Sequence, residues 1–403
     1  MARKLRVLHI ITHLAVGGAT ENTLTTCRLG DPERVESATL AGPTSDQEAE
    51  LADTARDWGV TVHTLPSLVR PISPLADLRA YRDMVAWLRR DKWDVVHTHG
   101  SKAGILGRLA AKKAGVPVII HTVHGWGHHD RQHPIERGIL VAAERYTAGI
   151  TDTMIVVADA NRAKGMSDNI GRREQYVTIH SGIDIARYRD VVVDRDALRA
   201  SLGIPKDALV VGTVSRLAPQ KAPGDFVKMA SMIHAKRPDV HFVFVGGGPM
   251  QAEFEADVKA AGLVDVVHLA GYRKDVPEML RTFDIFALSS LWEGLPRVFA
   301  QAMCAGLPIV ATNVDGAPEA VFEGENGYLV PAGQPEQLAD RTLRLLEDDG
   351  LRRRMGARGM EIVDPGFSDR EMVKQIEEVY FRGARQKELP VIFASDKSVA
   401  LVK

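Results

Sequence analysis

Two cysteines in 403 residues, Cys27 and Cys304, lie far apart in apolar settings. They exclude a disulfide framework and a cysteine metal site, and a reducing cytoplasm is the expected compartment. An excess of charge of one sign is also missing, since the formal net charge is -1. Without a basic surplus, a zinc-finger spacing or an aromatic ribonucleoprotein motif, nucleic acid is not an expected partner. Uncharged apolar stretches near the roughly 20 residues of a spanning helix are absent too, so any membrane contact is expected to be peripheral. The segment that most imitates a leader is Met1 to Gly18, where Arg3, Lys4 and Arg6 precede the apolar run Val7 to Val16. His9, Thr12 and His13 interrupt that run and no small-residue cleavage pattern follows, so it reads as a buried first strand entering a glycine turn.

What is present is ordinary globular composition, 45% hydrophobic and 26% charged. A chain of this length exceeds one core at about 150 residues per domain, and two domains are expected. Short apolar runs bounded by turn residues alternate with helical patterns, the mark of parallel βαβ units. Expected strands are Leu5 to Ile11, Ser37 to Ala41, Val60 to Thr64, Val95 to His97, Val118 to Thr122 and Met154 to Val157. A second series comprises Val210 to Val214, His241 to Val245, Val266 to Leu269, Ile285 to Leu288, Ile309 to Thr312 and Gly327 to Val330. The fold class is therefore α/β, with two Rossmann-like doubly wound domains facing a central cleft at the carboxyl ends of their strands. The expected boundaries are residues 1–183, 184–368 and 369–403, with the junction at the turn His180-Ser-Gly-Ile-Asp184. In the last segment Met372, Val373, Ile376, Val379 and Tyr380 share one helical face, which needs a surface, and that of the first domain is the candidate. The tail after Gln386 has no clear period.

The most informative stretch runs Ser290-Leu-Trp-Glu293-Gly294-Leu295-Pro296-Arg-Val298-Phe-Ala-Gln301-Ala-Met-Cys-Ala-Gly306. A strand ends before it, a Gly-Leu-Pro turn follows, and a helix starts near Arg297, whose free N–H groups and dipole suit a phosphate. Glu293 and Gln301 can face one ligand there. A second stretch, Gly212-Thr-Val-Ser-Arg216-Leu-Ala-Pro-Gln-Lys221, follows the first strand of the second series. A departing diphosphate gathers negative charge, and Arg216 and Lys221 can supply fixed cations without a metal.

These stretches resemble glycosyltransferase family 4, whose frame carries two glutamates with seven residues between them. Glu293 occupies the first position, but Gln301 stands at the second, and Ala222 stands where the family usually has glycine. The resemblance implies a GT-B fold, a nucleoside diphosphate sugar donor linked to UDP or GDP, and retention at the anomeric carbon. It places Glu293 on the donor sugar, Gln301 on the ribose, and Arg216 and Lys221 on the diphosphate. Gly294, Leu295, Pro296 and Val298 fall within the donor-binding turn. The loop Leu269-Ala-Gly271-Tyr-Arg273-Lys-Asp-Val276 resembles the one that meets the base, giving Gly271, Arg273 and Val276 to the donor site. In the N-terminal half, the Gly17-Gly18 loop corresponds to the one that closes over the reaction centre. His124 matches a histidine beside the donor sugar, and His99 is assigned to the acceptor side. The acceptor is expected to be a carbohydrate, a lipid-linked sugar or a small molecule.

Other signals have plainer readings. Gly246-Gly-Gly248 imitates a dinucleotide fingerprint, but Gln251 stands at the third glycine position. Asp194-Arg-Asp196 imitates the metal-binding pair of transferases of another fold, and helix capping explains it better. Eleven of fourteen histidines precede Ser181, with none in a His-Glu-x-x-His arrangement, so neither a metal nor a cofactor is expected. Between Leu65 and Gly115 ten Lys or Arg stand against four Asp. Helices carrying Trp87, Leu88, Ile105 and Leu106 among those charges suit either solvated faces or contact with the inner face of an anionic membrane. An epimerase of the same fold and a weakly active nucleotide-binding scaffold are the rival functions.

Overall fold

Apolar, β-branched runs with polar turns at both ends become parallel strands when helices cover both sides of the sheet they form. The computed structural model describes residues 3–14, 17–43, 49–129 and 131–393. Its chain divides into two compact units, Met1–Ser181 with Arg370–Lys403, and Gly182–Asp369.

The first unit contains β1 (Leu5–Ile11), β2 (Val35–Ala41), β3 (Thr61–Thr64), β4 (Val95–His99), β5 (Val118–Val123), β6 (Thr153–Val156) and β7 (Tyr176–Thr178). They lie side by side as β3, β2, β1, β4, β5, β6, β7, so the winding reverses between β1 and β4. The second unit contains β8 (Val210–Val214), β9 (His241–Val245), β10 (Val267–Gly271), β11 (Ile285–Leu288), β12 (Ile309–Thr312) and β13 (Gly327–Val330). Its order is β10, β9, β8, β11, β12, β13, with the reversal between β8 and β11. Both are the doubly wound α/β sheets expected from the alternating pattern. The strand β7, three residues long at a sheet edge, carries too little pattern to be read in sequence.

Strand parity assigns each residue to a face. In the first sheet Leu8, Ile10, Val96 and Ile119 pack with Ala80, Met84, Leu88, Ala103 and Ala110 from the helices Pro74–Arg90 and Ser101–Ala114. Leu5, Val7, Val95, Val118 and Ile120 point the other way, onto Met372, Val373, Ile376, Val379 and Tyr380. These five belong to the helix Asp369–Gln386. The final helix therefore covers the first sheet, each buried side chain contributing roughly 1.5–3 kcal/mol over exposure. Beyond it, Arg3 and Val391 form a parallel bridge, while the end of the tail, residues 394–403, lies outside the described residues.

The basic segment is more structural than its composition suggests. Trp87 stacks on Trp93 with ring centroids 5.9 Å apart, Leu88 is buried, and Leu106 packs on the same core. Arg108 is fully buried against Glu144, and Lys102 pairs with Asp77 at 2.5 Å. The apolar residues named from sequence thus do not form an outward face. The exposed ones are Ile72, Leu75 and Leu78. Asp194 accepts from the amide of Ala197 at 3.0 Å and Asp196 pairs with Lys206, which makes the Asp-x-Asp sequence a helix start.

Candidate functional site

In the second unit two loops leave the carboxyl ends of β8 and β11, on either side of the winding reversal where doubly wound sheets bind ligands. The loop after β8 lies against the glycine turn after β9. Leu217 N–H donates to Gly247 O at 2.9 Å and Ser215 N–H to Val245 O at 3.0 Å. A Cβ on Gly246 would stand 1.9 Å from Ser215 O, and one on Gly248 2.4 Å from Leu217 O. The glycine run is there so that one loop can lie on the other. It shapes the backbone that carries Arg216, whose side chain is exposed and has no ion-pair partner among the described residues.

Five residues on, Lys221 forms an ion pair with Glu293, and both side chains are largely buried. Ser290 Oγ donates to Glu293 Oε1 at 2.6 Å, and Gln220 Nε2 approaches Oε2 at 3.4 Å. Gln220 also donates to Trp292 O, Leu291 N–H donates to Gln220 O, and Ser289 Oγ donates to Lys221 O. Asp315 accepts from the amide of Glu293 at 2.6 Å. The two loops are thereby one hydrogen-bonded unit that carries a paired carboxylate and ammonium, and the first of them also carries the exposed Arg216. Ala222 occupies the left-handed region at φ 44. This is where a glycine has no steric penalty, and it accounts for the glycine usual at that position.

The helix Arg297–Cys304 starts directly after Pro296, with no side-chain cap. Gly294, Leu295 and Pro296 are buried in the turn, Gly294 O accepts from Gly316 N–H, and Val298 lies in the first helical turn. Gln301 is 7% exposed, and its side-chain amide has no hydrogen-bond partner among the described residues. Gly271 takes φ 66 and accepts from Gly246 N–H, joining the third loop to the second. Arg273 forks onto Asp275, and Val276 opens the helix Val276–Arg281. Ser290, Gln220 and Asp315 were not assigned roles from sequence, although the first two lie inside the quoted motifs.

In the first unit the corresponding place holds imidazoles. Gly17 precedes the helix Gly18–Leu29, and Ala15 and Val16 of its loop lie outside the described residues. His124, half-buried just past β5, has Nε2 3.1 Å from His99 Nδ1. His99 is 1% exposed and touches His124. Its Nε2 lies 3.0 Å from His9 Nδ1. The nearby His97 has Nδ1 2.6 Å from Tyr380 Oη and Nε2 2.6 Å from Thr122 Oγ1. Burial pushes His9 down to about 3 and His97 and His99 well below the usual range, so all three are neutral at pH 7. Nitrogens of His9, His97 and His99 lie within 4.8 Å of one another, close enough to share a metal ion. Sequence spacing gave no hint of this, because strand pairing assembles it: His9 pairs with His97 and Ile11 with His99.

Two tandem doubly wound units, with an ion pair and an exposed arginine on the loops at the switch point of the second, are the GT-B architecture. Residues 6–182 match the family described as "Glycosyl transferase 4-like domain", and residues 194–361 match "Glycosyl transferases group 1". The chain belongs to the glycosyltransferases of the family 4 type. It is 28% identical over 383 residues to the UDP-Gal:alpha-D-GlcNAc-diphosphoundecaprenol alpha-1,3-galactosyltransferase of Escherichia coli, covering 94% of this chain and 97% of that one. It is 22% identical over 324 residues to the capsular polysaccharide biosynthesis glycosyltransferase CapM of Staphylococcus aureus, 79% and 84% of the two chains. Among solved structures, HepE of Anabaena in complex with UDP and glucose superposes with a TM-score of 0.81 at 23% identity, over 94% of this chain and all of that one. Sucrose-phosphate synthase of Thermosynechococcus elongatus gives 0.78 at 20% identity, over 94% and 99%.

Proposed function

We propose that this glycosyltransferase moves a sugar from a nucleoside diphosphate sugar to an acceptor hydroxyl with retention, and that no metal takes part. The observation that carries the reading is the set of loops at the ends of β8 and β11. Arg216 is exposed on the loop that also carries Lys221, and Ser290 and Gln220 hold the geometry of the Lys221–Glu293 pair. As the glycosidic bond breaks, charge develops on the leaving diphosphate, and preorganised cations stabilise it without reorganising. Lys221 holds Glu293 in place for the donor sugar while keeping its own charge near the phosphates. Gln301 and the start of the helix Arg297–Cys304 take the ribose and a phosphate. Gly271, Arg273 and Val276 meet the base. In the first unit, a sugar hydroxyl is assigned to His124 and the reacting group to the Gly17-Gly18 loop.

Uridine is the favoured base, because the Escherichia coli relative is named for UDP-galactose and HepE was crystallised with UDP. The acceptor class favoured is a lipid-linked sugar, as in the name of that relative. Exposed Ile72, Leu75 and Leu78 beside exposed Arg70, Arg79 and Arg82 suit a peripheral membrane contact. No helix among the described residues is long and apolar enough to cross a membrane. The test is donor turnover in excess chelator, followed by NMR of the product anomer. Full activity and a product with the donor's anomeric configuration are expected; activity restored only by added Mg²⁺ or Mn²⁺, or an inverted product, refutes the reading. Binding to anionic vesicles that weakens with salt tests the membrane contact, and salt-insensitive binding or none counts against it.

A further inference from the structure

Three helices cover one face of the first sheet side by side. The helix Ser101–Ala114 lies in the middle, where its Lys102 pairs with Asp77 of Pro74–Arg90 and its Arg108 with Glu144 of Pro134–Ala148. Strand parity puts all three on the same side. Ile119 shares a core with the first two helices, and Val123, four residues on in the same strand, packs with Ala148 of the third. None of residues 101–111 of the middle helix is exposed. The outer surface of the layer therefore belongs mainly to the two flanking helices.

The helix Pro134–Ala148 turns an apolar side outward. Ile135, Ile139, Ala142 and Tyr146 recur at the spacing of one helical face, and all four are exposed. Ile135 is 68% exposed, Ile139 64% and Tyr146 70%, whereas Val141, Glu144, Thr147 and Ala148 form the buried side. An apolar stripe three turns long, left in water by the folded chain, is the kind of patch that marks an interaction surface. Charge decides the occupant. Arg70, Arg79, Arg82, Arg89 and Arg90 are exposed on the first helix and its approach, Arg131 and Arg145 on the third and its approach. Across residues 70–90 and 131–146 the one exposed acid is Glu136. An anionic bilayer satisfies both features, since apolar side chains enter the boundary between headgroups and acyl chains while cations at the margin meet phosphates. A second copy of this chain would bring like charge against like charge.

We propose that the outer surface of this three-helix layer docks on an anionic bilayer, with the stripe Ile135 to Tyr146 as a second anchor beside Ile72, Leu75 and Leu78. The proposal rests on the membrane contact read above from those three residues, and it supplies what a single anchor lacks. A contact along one helix leaves the protein free to roll about that line. Anchors on two helices, separated by the width of a third, define a plane and hold the first unit in one orientation. The two helices follow β3 and β5, so Leu75 and Ile135 both mark the end of the layer at the carboxyl edge of the sheet. That is the edge assigned to the acceptor, and a lipid-linked sugar carried in the bilayer meets it without being withdrawn from the membrane.

The full-length protein is tested by co-sedimentation with vesicles of phosphatidylcholine alone and with phosphatidylglycerol added. Binding to the anionic vesicles that weakens with salt is expected. Ile135→Ser combined with Ile139→Ser is expected to lower the partition coefficient at least about tenfold while leaving the thermal midpoint unchanged, because both side chains are exposed. A polarity-sensitive fluorophore at Ile139→Cys, read against wild type treated identically, is expected to shift to the blue on anionic vesicles only, and it decides the matter even if the double variant fails to fold. Undiminished binding of the double variant, or a fluorophore that stays in water while the protein is bound, overturns the second anchor; loss of binding in Leu75→Ser would then leave the first contact standing. Wild type that binds no vesicle overturns both contacts, and donor turnover in solution keeps that failure apart from failure of the transferase reading. A concentration-dependent dimer in solution that the double variant abolishes gives the stripe to a second copy and overturns the proposal.

Discussion

The two units have sheets that are alike at their amino ends and opposite in chemistry at their carboxyl ends. Asp94, just before β4, accepts from the amide of Arg6 at 2.9 Å and pairs with Arg3. Asp284, just before β11, accepts from the amide of Val210 at 2.8 Å and pairs with Arg195 and Arg199. Each carboxylate sits across the winding reversal and ties the start of one central strand to the other. At the far end of the same strands, the first unit presents buried neutral imidazoles and the second a charged pair with an exposed arginine. The comparison separates what a doubly wound sheet needs in order to fold from what its switch point is used for. Clamping requirements repeat because strand geometry repeats. The carboxyl ends differ, and the proposed function accounts for it, since a sugar hydroxyl calls for hydrogen bonds and a diphosphate for charge.

The largest expected contrast between the units is in acid. His9, His97, His99 and His121 all have folded-state values pushed down by burial, His9 to about 3. Below about pH 6.5 the unfolded chain binds protons that the folded chain refuses, so stability is full above that pH and is lost progressively as pH falls from there toward 3. Each such histidine costs about 1.3 kcal/mol between pH 7.5 and 5.5, or about 5 kcal/mol for the four. Urea unfolding of Trp292→Phe, in which the remaining tryptophans (58, 87, 93 and 126) all report on the first unit, measures this. A pH-independent midpoint would mean that the four rings are not buried neutral.

Charge in the second unit is tested next. Arg216→Ala is expected to slow transfer about a hundredfold, near 2.7 kcal/mol, without changing stability, because the side chain is exposed. Lys221→Met should slow transfer at least as much and also destabilise the second unit, since it leaves the Glu293 carboxylate largely buried without its cation. Equal stability losses in the two variants would erase the distinction drawn between them. A smaller effect attaches to Gln301, buried and without a hydrogen-bond partner among the described residues. If it holds the ribose, Gln301→Ala should weaken nucleoside diphosphate binding several-fold. Gln301→Glu should bind equally or more tightly, because charge-assisted bonds exceed neutral ones by about 1 kcal/mol each. Calorimetry of the three forms decides it, and unchanged affinity in the alanine variant removes Gln301 from the site. Smallest is Ala222→Gly, expected to change stability by about 1 kcal/mol or less. Relief at φ 44 is set against the greater freedom of an unfolded glycine, and a loss above about 2 kcal/mol would mean that the methyl group itself is needed.

Order and type of elements were legible in the sequence because they depend on local pattern. Apolar runs of four to seven residues marked β1, β8, β9, β11, β12 and β13 at their observed bounds, and Pro296 with its glycine turn marked the helix start. Motif spacing was enough to put Arg216 and Lys221 on the loop after β8, Glu293 on the loop after β11 and Gln301 in the helix that follows. Local pattern could not say that Lys221 and Glu293 pair with each other, since that contact joins residues 72 apart across two strands. Nor could it separate the cations of Leu65 to Gly115 into solvated ones and a buried Arg108, because burial is decided by what packs on a helix. The histidines show the limit most plainly. Alternation alone puts His97 and His99 on one face of their strand. That His9 lies opposite them, and that Tyr380 arrives from a helix 283 residues beyond His97, follows only from strand register and from the last helix closing over the sheet. Sequence spacing fixes neighbours along one element, whereas hydrogen-bond partners between elements exist only after the sheet has paired.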